Sequence, residues 1–262
     1  MRVVIQQDYA KMSQWCANYI AKKIQDNTGR PFVMGLSVGS GPLNTYKDLA
    51  AINRAGGCQF KDVIVFSASE YIGLDSACPQ SSQWYMKKKF LSLLSDMQQK
   101  NINMLNGMES DFKNECEDYE SKIAAVGGLS LFLGGIGIDG HLAFNEPFTS
   151  LSSRTGIRYL SSKTKIINAR FFSNNPQLVP ARALSIGIGT ITESQEIILL
   201  ANGEAKAKAL KATIEGPLSS GCPSSAIQMH NNALVVCDDA ACAELETGTY
   251  SYFRDMEGSE RL

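Results

Sequence analysis

Six short apolar runs punctuate the chain: PFVMGL (31–36), DVIVFSA (62–68), LSLFLGG (129–135), ALSIGIG (183–189), EIILLA (196–201) and ALVVCD (233–238). Each has the length and composition of a β-strand. Between them, residues 42–55, 81–95, 110–125, 203–214 and 239–254 place apolar positions three and four apart among charges, which predicts helices that cover a sheet. Alternating β and α elements imply an α/β fold, a doubly wound, mainly parallel sheet with helices on both faces, Rossmann-like in architecture. No internal repeat or long linker divides the 262 residues. A single domain over 1–262 is expected, with the polar, loop-rich stretch 147–180 as a lid. In such sheets ligands sit beyond the carboxyl ends of the strands, so the residues that follow each run are where chemistry is expected.

The balance of 25 basic and 26 acidic residues leaves no positive surplus for a nucleic-acid backbone. No stretch approaches the roughly 20 apolar residues that cross a bilayer. Seven cysteines, an odd number without a Cys-x-x-Cys pair, read as reduced thiols in a cytoplasmic protein. The two histidines, His141 and His230, lie in no cluster with metal-ligand spacing, so neither a catalytic metal nor another cofactor is expected. His230 in IQMHNN has no carboxylate near it in sequence and reads as structural.

Two segments carry candidate chemistry. GLSVGSGP (35–42) is a glycine-rich strand-to-helix turn, whose backbone amides and helix N-terminus suit a phosphate. Glycine also serves such turns for steric reasons alone. GGIGIDGHLAFNEP (134–147) follows the third run and contains Gly135-x-Gly137-x-x-Gly140, formally a dinucleotide fingerprint. That fingerprint needs a helix opening at its last glycine, and Pro147 with the sequence after it opposes one. The same segment sets His141 between Asp139 and Glu146. Carboxylates beside an imidazole orient it and raise its basicity for proton transfer. A buried histidine satisfied by loop carboxylates is the competing reading.

GGIGIDGHLAFNEP followed by SSRT, together with PFVMGL, VFSASEYIGL, INARFF, IGIGT and VVCD in order, resembles the glucosamine-6-phosphate deaminase family along nearly the whole chain. The resemblance implies ring opening, isomerisation and ammonia release that convert glucosamine 6-phosphate to fructose 6-phosphate. It implies that His141 assists ring opening and that Asp139 and Glu146 hold and tune it. It further implies a phosphate pocket built from Val38, Gly39, Ser40, Arg170 and Lys206, and a homo-oligomer acting on a small amino-sugar phosphate.

The chain also departs from that pattern. Where the family has Asn-Met-Asp-Glu-Tyr, this sequence reads Ser67-Ala68-Ser69-Glu70-Tyr71, so Ser69 stands at the position of the base that takes the C2 proton. Glu70 is no simple substitute, because neighbouring side chains on a strand point to opposite faces. The family's Pro-Thr-Gly is Ser37-Val38-Gly39 here. The arginine that binds an acetylated amino-sugar phosphate in bacterial members falls at Gly156, which leaves Ser150, Arg158 and Tyr252 as a partial allosteric site. Two functions therefore stand side by side, a deaminase impaired at Ser69 and a weak or inactive paralogue that binds the sugar phosphate as a sensor or regulatory subunit.

Overall fold

The computed structural model describes residues 1–259. Strand β1 (Arg2–Gln6) leads into α1 (Tyr9–Asp26), then β2 (Phe32–Leu36) and α2 (Leu43–Arg54). Next come β3 (Val63–Ser67), β4 (Ser69–Tyr71), α3 (Ser82–Lys89), β5 (Ile102–Asn103), α4 (Phe112–Ala125) and β6 (Leu131–Gly135). The second half runs through β7 (Gly156–Tyr159), α5 (Ser162–Asn168), β8 (Arg182–Ser185), α6 (Ile188–Thr192) and β9 (Ile197–Ala201). It ends with α7 (Ala207–Ile214), β10 (Ala233–Asp238) and α8 (Thr247–Ser259). Among the described residues no helix is long and apolar enough to cross a membrane.

Seven strands pair in the order β1-β10-β9-β6-β2-β3-β5. All these pairings are parallel. Their runs are apolar on both sides because both faces are covered. One face packs on α1, α2 and α3 through Met12, Ile20, Tyr46, Leu49 and Met86, and the other on α4 and α7 through Tyr119, Ile123 and Leu210. Helix α1 shows the local logic: Asp8 caps it by accepting from the Lys11 amide at 2.8 Å, and Met12, Cys16, Ile20 and Ile24 form one buried stripe at four-residue spacing.

The fourth apolar run departs from expectation. Its strand covers only Arg182–Ser185 and joins β4 and β7 in a separate antiparallel sheet, in the order β4-β8-β7. Ile186 then leads out of the strand, and Ile188 opens α6. Ala68 ties the two sheets, since its amide donates to Leu36 O at 2.8 Å and its carbonyl accepts from the Ile186 amide at 2.9 Å.

Candidate functional site at the switch of the parallel sheet

After β2 the chain moves outward through β3 to β5, whereas after β6 it moves the other way through β9 and β10. Adjacent β2 and β6 therefore mark the point where the winding reverses, and the crevice beyond their carboxyl ends is where open α/β sheets bind ligands. The loops of both candidate segments leave the sheet there. The Ser37 amide donates to Leu133 O at 3.0 Å, and a side chain placed on Gly41 would lie 3.9 Å from the Gly135 backbone.

The loop after β2 is held by its carbonyls. The Tyr85 hydroxyl donates to Gly39 O and the Tyr9 hydroxyl to Ser40 O, each at 2.6 Å. Among the described residues no acceptor takes the amide hydrogens of Val38, Gly39 or Ser40. Those donors, at the start of the 12-residue α2, form a ready anion cradle. Val38 turns its side chain to the core beneath and contributes only its backbone.

The loop after β6 carries Asp139 and His141. Asp139 Oδ1 lies 2.7 Å from His141 Nδ1. That hydrogen bond, more than any other influence, holds the Asp139 carboxyl down at about 2. The carboxylate is thus ionised and acts as acceptor, so Nδ1 carries the hydrogen and Nε2 is left with a free lone pair for a ligand. Two glycines make the arrangement possible. A Cβ on Gly137 would meet the His141 ring at 2.3 Å, and Gly140 has φ +82° and would meet Cys222 Sγ at 2.5 Å. No helix opens at Gly140, where residues 138–149 are turn and bridge. Gly135, Gly137 and Gly140 thus serve the histidine loop.

Among the described residues Glu146 makes no hydrogen bond with His141. Its Oε1 accepts from the Ser161 amide at 3.0 Å and so fastens the start of α5. A cation stands beside Asp139 instead: Lys163 Nζ of α5 lies 4.0 Å from Asp139 Oδ2. Arg170, just beyond α5, stacks on Phe171 with its guanidinium carbon 4.7 Å from the ring centre. Lys206, at the start of α7, is the most perturbed cation of the site. Burial, helped by the Arg170 charge and opposed by Asp139, pushes its ammonium down to about 8. Lys206, Arg170, Lys163 and Asp139 therefore converge on one crevice.

Ser69 lies in β4 opposite Ser185, is 3% exposed, and makes no hydrogen bond through its hydroxyl among the described residues. Glu70 points away, as the strand alternation requires. Its carboxylate accepts from the amides of Tyr71, Ser82 and Gln83 at 2.8–2.9 Å and from the Ser81 hydroxyl at 3.1 Å. It closes the N-terminus of α3 and has no free lone pair facing a ligand, although burial pushes its pKa up.

Each member of the partial allosteric set has its own neighbours. The Ser150 hydroxyl pairs with that of Ser152 at 3.1 Å, Tyr252 packs edge-on against Phe253, and Arg158 turns inward beside Gly156. His230 is fully engaged, with Nε2 2.7 Å from Ser194 O and Nδ1 accepting from the Asn232 amide at 3.1 Å. Sequence reasoning missed Lys163 and Asn145. Asn145 lay inside the quoted motif, but two of its partners, Arg158 and Ile186, lie further along the chain. Lys163 had no local signal.

Residues 7–236 match the family described as glucosamine-6-phosphate isomerases/6-phosphogluconolactonase. A glucosamine-6-phosphate deaminase of Phocaeicola vulgatus is 45% identical over 260 residues, 98% of each chain. One of Borreliella afzelii is 46% identical over 260 residues, 98% of this chain and 97% of its own. A solved structure described as a monomeric glucosamine-6-phosphate deaminase superposes with a TM-score of 0.89 at 34% identity, covering 93% of this chain and 100% of that one. A 6-phosphogluconolactonase of Thermotoga maritima, 16% identical with a TM-score of 0.70 over 90% of this chain and 98% of its own, shares the fold.

Proposed function

The chain belongs to the glucosamine-6-phosphate isomerase/6-phosphogluconolactonase family, and from that premise we propose that it is a glucosamine-6-phosphate deaminase whose proton transfer at C2 is slow. The observation that carries this reading is the Asp139–His141 pair, 2.7 Å apart, set on the same sheet edge as Lys206, Arg170 and the free amides of the loop after β2. The amides and the two cations hold the phosphate of the sugar. His141 Nε2 accepts the proton of the anomeric hydroxyl and returns it to the ring oxygen, which opens the ring. The resulting imidazolium is stabilised by the ionised Asp139.

Moving the C2 proton to reach the ketose and release ammonia requires a base within reach. Ser69 supplies none near neutral pH, and Glu70 is locked on α3. Loss of a positioned base costs roughly 100- to 10,000-fold in rate. Ser69 therefore favours, as the second reading, a paralogue that binds the sugar phosphate without turning it over. Ammonia release from glucosamine 6-phosphate, measured beside calorimetric binding of the same sugar, separates the two. Binding with slow ammonia release supports the first, binding without it the second, and no binding removes both.

The segment 147–180, which carries Lys163 and Arg170, is the lid in this reading, and Glu146 acts by anchoring it through Ser161. Activation by an acetylated amino-sugar phosphate is weak or absent, because Gly156 offers no side chain and Arg158 is engaged within the fold. The protein works in the cytoplasm, consistent with seven unpaired cysteines. It self-associates, which a solution mass of one 28.5 kDa chain by light scattering would overturn.

A further inference from the structure

Arg158 is an unusual cation. It extends from β7 but folds back across Gly156. It donates from Nε to Asn145 Oδ1 at 2.8 Å, from Nη2 to Arg154 O at 2.8 Å and from Nη1 to Ile157 O at 3.1 Å. Among the described residues no carboxylate pairs with it. Burial accordingly lowers its pKa. A half-buried guanidinium given only carbonyl-type acceptors costs the fold some solvation, so what it holds is informative.

It holds Asn145. That side chain is fully buried, and its amide nitrogen donates to Leu142 O at 2.9 Å and to Ile186 O at 2.7 Å. Its carbonyl oxygen has Arg158 as its sole partner among the described residues. Beside it, the Phe144 amide donates to Ser185 Oγ at 3.1 Å. The segment that carries Asp139 and His141 is thus stitched to the small antiparallel sheet, and the guanidinium fixes which way the amide of the central stitch faces. Gly156 makes the reach possible. A Cβ there would come within 2.9 Å of Nη1, the mobile end of the arginine, and would push it aside without disturbing the backbone.

We propose that Arg158, given room by Gly156, is a positioning residue that locks Asn145 and through it the Asp139–His141 loop in its working arrangement with no effector present. The guanidinium acts from within the chain where an anion-binding residue would face solvent. This inference rests on the proposed role of His141, and it is tested so that the two can fail separately.

Two substitutions act on the same contact by different routes. Arg158→Met keeps the aliphatic stem and removes the donor. Gly156→Ala keeps the donor and displaces it. Each single variant should raise amide hydrogen exchange across residues 136–146 about tenfold, the scale of one charged hydrogen bond. Each should also lower kcat about 10- to 100-fold, the range that follows a misplacement of order 1 Å, with KM within about twofold because Arg170 and Lys206 are untouched. In the double variant the losses should not multiply, since one contact is removed twice. Unchanged loop exchange in Gly156→Ala, a change in KM rather than kcat, or multiplicative losses would each overturn the proposal. If the wild-type chain proves to have no turnover, the exchange measurements and the Hε1 resonance of His141, one of two histidines in the chain, still decide it. In that case, a loop tightened in the wild type and loosened in both variants upholds the positioning role.

Discussion

Replacing Ser69 with aspartate puts a carboxylate where the C2 proton must be taken. The backbone there has little freedom to yield, because Ala68 is pinned on both sides by bonds of 2.8 and 2.9 Å and Ser69 is paired with Ser185. The longer side chain must therefore project where the serine projects. It inherits no hydrogen bond from the serine, whose hydroxyl is unpartnered among the described residues. Two consequences follow. Burial without donors costs about 1–3 kcal/mol of stability. The same desolvation raises the carboxyl's pKa, which makes it a stronger base and places its activity at pH values above that pKa. A restored general base should raise ammonia release at least about 100-fold, equivalent to about 2.7 kcal/mol off the barrier. Binding of the sugar phosphate should change far less, since the base acts in the transition state. The assay is steady-state ammonia release against pH for wild type, Ser69→Asp and Ser69→Asn, with calorimetry on each. Asparagine matches aspartate in shape without its basicity and should bring no gain. Equal gains in Asp and Asn variants, or wild-type turnover already near 10 per second, a usual enzyme value, would refute the reasoning.

Further expectations concern the surroundings of the site. Lys206→Ala should weaken sugar-phosphate binding by about 1.5–3 kcal/mol, read by calorimetry. Because Lys206 titrates at about 8, wild-type affinity should fall as pH rises through that value, and Lys206→Arg, which stays charged, should flatten the profile. Saturation curves should be insensitive to N-acetylglucosamine 6-phosphate; a strong leftward shift would show that Gly156 does not disable the control site. Glu70→Ala leaves two amides and a hydroxyl at the α3 terminus, and the Tyr71 amide of β4, without their acceptor and should cost about 2–4 kcal/mol in denaturant unfolding, whereas a loss under 1 kcal/mol would mean that water replaces it.

The strands legible in the sequence are those whose burial is local and two-sided: residues 31–36, 62–68, 129–135, 196–201 and 233–238 each contain a parallel strand. Residues 183–189 misled because an apolar run does not reveal its partner, and the pairing of Ser185 with Ser69 joins residues more than a hundred positions apart. The three-residue β4 and two-residue β5 fall below any periodic signal. Asp139 and His141 were readable because they are two residues apart on one tight loop. Glu146 is equally close in sequence, yet its partner is the Ser161 amide, and that choice depends on how the 147–180 segment folds over. Val38, Gly39, Ser40, Arg170 and Lys206 became candidates through resemblance. Their convergence depends on the reversal of winding between β2 and β6, which no short window of sequence contains.

The small antiparallel sheet has a consequence in time. Its β4–β8 pairing joins Ser69 to Ser185, a far longer closure than that of β2 and β3, which meet across a single helix. Loop closure of that span makes the β4–β8 pairing later in refolding than the unit of β2, β3 and their helices. Both tryptophans, Trp15 and Trp84, ride on helices of the opposite face. On dilution from denaturant, their fluorescence should recover in an earlier phase than ammonia release, because the histidine loop is fastened only when the antiparallel sheet forms. Recovery of fluorescence and turnover in one phase would mean that both sheets assemble together.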